Sequence, residues 1–279
     1  MSCTIRIIEG DDTMEPTTTS LSSSTPSIVI DQLVWEACHA DDTDMLRCLL
    51  AQGGKTNWYP DTPDSTSCLC IAVRNGNSDM VKELVKHGAD VNLAGSYGQN
   101  TALHIATELG DIKLVKQLVK LGADINKGDE LGETALHKAC IQNNLRIVNE
   151  LIKSGAFLNA LTMIQWTPLH IATRLGHEEV ARALLDARAD KNTRDVQSQT
   201  PLSCAVKHEH AKIALLLVDR ETAWDAVGVD DFRHVLKLRA SRVEETNRAT
   251  RRDFVVILIG SISMILFRAV AARMQQRSK

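Results

Sequence analysis

Three histidines recur at a fixed distance along the chain and are the first candidates for metal chemistry. His104, His137 and His170 are 33 residues apart, and a threonine stands three positions before each of them. An imidazole that binds zinc holds its nitrogen about 2 Å from the metal, whereas stacked helices lie about 8–10 Å apart. Histidines on successive structural units therefore cannot share one ion. The spacing favours a repeated hydrogen bond from each imidazole to the backbone of a neighbouring unit.

Other residue patterns that carry chemistry are weak or missing. Cys68 and Cys70 are separated by one residue, which fits neither a zinc ribbon nor a redox motif, and His208 and His210 have no further ligand type nearby. The sequence contains no glycine-rich phosphate loop, nucleophile elbow or HExxH motif. We therefore predict a protein that is not an enzyme, with no catalytic residues, no cofactor and no metal.

The three histidines belong to a segment that repeats along the chain. The copies that begin at Thr101, Thr134 and Thr167 are spaced by 33 residues, and looser copies begin at Ser67 and Thr200. A fainter copy begins at Gln32. About six copies at nearly constant spacing indicate an array of stacked units with no single large core.

The copy from Thr167 shows how one unit should fold. Thr167 is a suitable N-cap, and Pro168 suits the first helical position, where its missing N–H costs nothing. Gly176 should end this helix after about two turns. A second apolar-patterned helix follows, and in three sister units it should end at a left-handed glycine cap: Gly88, Gly122 and Gly155.

The hexapeptide TPLHIA at 167–172, with TALHIA at 101–106 and TALHKA at 134–139, resembles the signature of the ankyrin repeat family. The resemblance covers about Gln32 to Val218. It implies an all-α ankyrin-repeat solenoid of about six helix-pair units, with β-turn fingers between them. It also implies that the chain binds other proteins, through its fingers and its concave face, without naming the partner.

Seven large side chains in the predicted fingers are candidates for partner contact, because exposed aromatic and apolar residues anchor interfaces. For Trp166 a packing role between neighbouring fingers is the favoured interpretation, and for the three N-terminal aromatic residues the two roles are balanced. The candidates are Trp58, Tyr59, Tyr97, Leu131, Met163, Ile164 and Trp166.

Four asparagines occupy one equivalent position late in their units. In ankyrin repeats such asparagines can be substrates of an asparaginyl hydroxylase, while a hydrogen bond across the turn suffices to explain why they are there. They are Asn92, Asn126, Asn159 and Asn192.

Charge and cysteine content limit the possible partners and the compartment. The net charge of −3 gives no electrostatic footprint for nucleic acid. The seven cysteines are an odd number without a paired framework, and the sequence has no glycosylation sequon and no apolar signal region near its start. These features favour a reducing, cytosolic environment for the repeats.

The segments outside the array have different compositions. Residues 1–31 form a Ser/Thr-rich tail that should be disordered, with regulatory phosphorylation as the alternative to a plain solvated tail. Residues 219–253 read as an amphipathic helix, a cap on the array or, less favoured, a stalk.

Residues 254–267 carry no charge, and the apolar span continues to residue 272 with only Arg268. Nineteen residues of helix reach about 28 Å, against about 30 Å for the hydrocarbon core of a membrane. We therefore expect a transmembrane tail anchor at 254–272, followed by a short basic tail at 273–279. Such an anchor inserts after synthesis and leaves the repeats in the cytosol. Its modest length and flanking basic residues favour the mitochondrial outer membrane over the endoplasmic reticulum.

The resulting hypothesis is a membrane-tethered scaffold or adaptor that binds a cytosolic protein partner through its repeats. One alternative is a soluble adaptor of the inhibitor or chaperone type, whose apolar C-terminal helix docks on a partner. Another is a ubiquitin-ligase substrate adaptor. All six prolines precede residue 202, however, so the proline-containing cullin-binding element of such adaptors is missing.

Overall fold

The computed structural model describes residues 27–60, 66–95 and 98–218, and these residues form an all-helical array without a β-strand. Consecutive helices pair into six units, which we number one to six along the chain, and we call the first helix of each pair inner and the second outer. The pairs are α1 (Ser27–His39) with α2 (Thr43–Ala51), α3 (Cys68–Arg74) with α4 (Ser78–Lys86), α5 (Ala102–Glu108) with α6 (Ile112–Lys120), α7 (Ala135–Ile141) with α8 (Leu145–Lys153), α9 (Pro168–Leu175) with α10 (Glu178–Asp186), and α11 (Pro201–Lys207) with α12 (Ala211–Leu217).

The inner helices form the centre of the array. Each packs against its own outer helix and against the inner helices of the neighbouring units. Every residue from Ala102 to Thr107 in α5 is therefore buried, whereas α6 buries only Leu114, Val115 and Leu118. Small side chains such as Ala106 and Ala139, both fully buried, allow this close packing. The hydrophobic core is consequently a continuous band along the array, as expected for a repeat solenoid.

The predicted helix ends are confirmed. The Thr167 hydroxyl accepts the N–H of His170 at 3.4 Å, with Pro168 at the start of α9. Gly176 caps that helix with a φ of 78°, in the left-handed region that glycine adopts without strain. Gly122 follows α6 with a φ of 90°. Residues other than glycine take the left-handed conformation at the Gly176 position of three other units, where they are Asp41, Asn143 and Glu209, and Arg188 takes it at the Gly122 position of unit five.

The first helix begins earlier than the sequence pattern indicated. Residues 27–31 fall within the predicted disordered tail, but they form the first turn of α1. Asp31 is almost completely buried, and its carboxylate accepts the N–H of Lys55 at 2.8 Å. The pattern of apolar residues places the start of this helix too late, because a buried acidic side chain that binds the backbone does not contribute to that pattern.

The predicted segments at 219–253, 254–272 and 273–279, and most of the N-terminal tail, lie outside the described residues. Within residues 27–60, 66–95 and 98–218, no helix is long and apolar enough to cross a membrane.

Candidate functional site

The repeated histidines join neighbouring units, as the spacing predicted. The Nε2 atoms of His104, His137 and His170 lie 2.9, 3.1 and 3.2 Å from a backbone carbonyl oxygen of the following unit. In each case Nδ1 accepts the N–H of the threonine three positions earlier, at 3.1 to 3.2 Å. Nδ1 is therefore unprotonated, and Nε2–H donates to the carbonyl. Burial lowers the pKa of all three imidazoles, which favours this neutral form.

The described free cysteines are buried in the helical core, and they include Cys68, Cys70 and Cys140. Burial raises the pKa of Cys70 to about 11, so at neutral pH it remains a thiol, and a thiol is a poor nucleophile and metal ligand. Over the described ranges, no group of three or more His, Cys, Asp or Glu side chains is placed to hold a metal ion.

The late asparagines form a ladder along the array. Asn92 Oδ1 accepts the N–H of Asp124 at 2.7 Å, Asn126 Oδ1 accepts that of Phe157 at 2.7 Å, and Asn159 Oδ1 accepts that of Asp190 at 2.9 Å. The side chains of these three residues therefore bond to the backbone of the next unit, 31 or 32 residues further along, rather than across their own turn.

Three turns project between the later units, and we call them finger three (128–133), finger four (161–166) and finger five (194–199). Two backbone hydrogen bonds close each finger, and the wider of the two is 3.0 Å long in all three fingers. Its N–H donors are Asp129, Thr162 and Asp195, and its carbonyl acceptors are Glu133, Trp166 and Gln199, respectively. Neighbouring fingers are also linked. Met163 N–H donates to Leu131 O at 2.9 Å, and Val196 N–H donates to Ile164 O at 3.4 Å. The fingertips are thus held side by side.

Four apolar side chains at these tips face solvent, and we call them the fingertip strip. Leu131, Met163 and Ile164, all predicted partner candidates, are 57%, 72% and 46% exposed. Val196 of finger five is 58% exposed and was missed, because it follows Arg194 and Asp195 in a charged stretch. An exposed apolar row of this kind is typical of an interaction surface.

The aromatic candidates occupy different environments. The Trp166 indole N–H donates to Asp195 Oδ2 at 3.1 Å, and the Arg174 guanidinium lies 4.8 Å from its ring centroid. Trp166 therefore fixes finger four against finger five. Trp58 and Tyr59 are half-buried between units one and two, apart from the fingertip strip in sequence, and Tyr97 lies outside the described residues.

A second apolar row lies where the inner helices end, and we call it the inner-helix strip. Leu109, Ile141 and Leu175 are 52%, 38% and 45% exposed, at the C-terminal ends of α5, α7 and α9. Sequence reasoning named the concave face without naming these residues. The signal was present, since each stands seven or eight positions after the cap threonine.

Lys138 links finger three to the end of α5. It stands where three sister units have isoleucine, and its Nζ lies 2.9 Å from Asp129, 2.9 Å from Glu133 and 3.2 Å from Glu108. Burial alone would lower the pKa of Lys138, but Glu133 and Asp129 outweigh that effect and hold its pKa above the usual value. Because Glu108 ends α5 while the other two carboxylates belong to finger three, the fingers and the inner-helix ends share one surface.

Comparison with protein families agrees with this geometry. A family model described as ankyrin repeats in three copies matches residues 33–129, 126–195 and 165–227. A comparison with curated proteins finds no significant match.

Proposed function

Since this chain is a member of the ankyrin repeat family, a family of protein-binding repeats, we propose that it is a membrane-tethered scaffold that holds a protein partner on the cytosolic side. The observation that carries the binding part is the pair of exposed apolar strips on one surface. A soluble protein rarely exposes contiguous apolar rows unless a partner covers them. We propose no catalytic role for this surface.

The rigidity of the strips supports partner binding. Met163 and Val196 are tied by their backbones to the preceding fingers, and Trp166 is fixed by Asp195 and Arg174. A finger backbone that is already ordered loses less entropy when a partner binds, which leaves more of the contact energy as affinity.

The membrane part of the proposal is supported by the sequence of residues 254–272. Ten of the first fourteen residues are Phe, Val, Ile or Leu, and they contribute roughly −3 to −6 kcal/mol toward insertion. The mitochondrial outer membrane is the proposed destination, with the endoplasmic reticulum as the alternative.

A triple variant tests the binding surface. Leu131→Ser, Met163→Ser and Ile164→Ser together should remove most proximity-labelled neighbours of the full-length chain while leaving its helical circular dichroism intact. Val29→Ser, an exposed apolar position on α1 in the first unit, is the matched control and should change neither signal. An unchanged set of neighbours in the triple variant would contradict the proposal.

A fusion tests the tether independently. Residues 248–279 attached to a fluorescent protein should localise to mitochondria and resist carbonate extraction. A fusion on the reticulum would overturn only the destination. A diffuse, extractable fusion would overturn the anchor and favour a soluble adaptor whose terminal helix docks on a partner.

A further inference from the structure

One position of each unit, seven residues after the cap threonine or serine, lies at the exposed end of the inner helix. In units two to six it holds side chains of different charge. All of them are exposed or partly exposed, although most of the helix that precedes each one is buried. In order, they are Arg74, Glu108, Ile141, Arg174 and Lys207.

These five residues form a row because the inner helices of successive units pack directly against one another. Packed helices are about 8–10 Å apart. An extended chain of the polyproline II type advances about 3.1 Å per residue and, with three residues per turn, places every third side chain on the same face. One unit of the array therefore corresponds to about three residues of an extended peptide laid along it. The row from unit two to unit six matches a peptide of about thirteen residues.

The row carries negative charge at unit three and positive charge at units five and six. At unit three, Glu108 shares Lys138 with Asp129 and Glu133, so three carboxylates face one ammonium group and leave a net charge of −2. At units five and six, Arg174 and Lys207 both act on His208: together with burial, their positive charges lower its pKa. No ion pair joins either of them to another described residue. Exposed Ile141 lies between the two regions.

We infer that the partner segment is an extended peptide that carries an acidic, a basic, an apolar, an acidic and an acidic residue at intervals of three. Its residues face Arg74, Glu108, Ile141, Arg174 and Lys207 in that order. This inference rests on the proposed partner binding and specifies the class of partner. The mixed charges of the row fit a peptide better than an anionic lipid surface, which would require one continuous basic face.

Selection from a random-peptide display library on the full-length chain in mild detergent tests the inference. Enriched peptides should show this order of charges at three-residue spacing, in one chain direction. With Lys207→Glu as bait, the terminal acidic preference should become basic, and wild-type-selected peptides should bind about three- to tenfold more weakly. Lys113→Glu, the same charge change on outer helix α6, is the matched control and should select as wild type does.

Each outcome has a distinct meaning. Enriched peptides without a charge order, but lost on Leu131→Ser with Ile164→Ser, would overturn the inference and leave the proposed function standing. Enrichment that neither Lys207→Glu nor Leu131→Ser with Ile164→Ser changes, or no enrichment at all, would overturn both the inference and the proposed function. Concentration-dependent dimerisation that Leu109→Ser with Leu175→Ser abolishes would show a second copy of the chain as the occupant and overturn the peptide assignment.

Discussion

Units three to five and the units on either side of them share one backbone but differ in how they are joined. In the middle units an imidazole reaches a carbonyl of the next unit at 2.9 to 3.2 Å. In unit two the equivalent residue is Cys70, whose sulfur lies 3.8 and 3.9 Å from the carbonyls of Asn100 and Leu93. In unit six it is Ser203, whose hydroxyl donates to Thr200 O within its own unit at 2.9 Å. The difference shows that capping a helix and joining two units are separable tasks. Histidine performs both, and among the described residues Ser203 performs only the first.

Removing one imidazole should have the largest effect. His137→Ala leaves the Trp166 carbonyl and the Thr134 N–H without their partner and opens a cavity, because His137 is fully buried. We expect a loss of about 2–4 kcal/mol in the free energy of unfolding, measured by urea denaturation. Ser203→Ala is the control and should cost about 1 kcal/mol or less. Equal losses in the two variants would erase the distinction between the middle units and the end unit.

Acid should weaken the middle units through the same imidazoles. Burial lowers the pKa of His104, His137 and His170 in the folded state, so unfolding takes up protons. Their contribution is fully present above the unfolded pKa of about 6.5 and is lost as the pH falls from there toward the folded-state pKa.

We expect a loss of about 1–3 kcal/mol between pH 7 and pH 5.5, measured from urea midpoints. The loss should be smaller in His137→Ala than in wild type. Parallel pH dependences in the two proteins would show that the imidazoles are not the groups that titrate.

The smallest expected effect concerns backbone strain, which acts on stability independently of the histidine hydrogen bonds. Gly122 of unit three and Arg188 of unit five occupy the same left-handed turn, with φ of 90° and 70°. Arg188→Gly should stabilise the array by about 0.5–1 kcal/mol, because arginine is strained there. Gly122→Ala should destabilise it by about 1 kcal/mol through φ alone, since no atom lies within 4 Å of the added Cβ. Thermal midpoints that move in the same direction would contradict this account.

The sequence predicts the array closely where each unit repeats its own local rules. Thr167, Pro168 and Gly176 set the helix ends without help from other units, and the roles of His137 and Asn126 follow from their period. What escaped prediction depends on contacts between units. In the sequence, Lys138 is visible only as a departure from the isoleucine of sister units, because the three carboxylates that it contacts lie in a finger and in another helix. Leu109 looked like one more apolar residue, since only the stacking decides that it faces solvent.

The asparagine ladder has a mechanical consequence. Asn92, Asn126 and Asn159 each join one unit to the next through side-chain amide-to-backbone hydrogen bonds, so the links run in series along the length of the array. A pull on its two ends loads every link with the same force, and the weakest opens first while the others hold. Under tension such an array lengthens stepwise, one unit at a time. A partner bound across several units would raise the force needed to open the units that it covers.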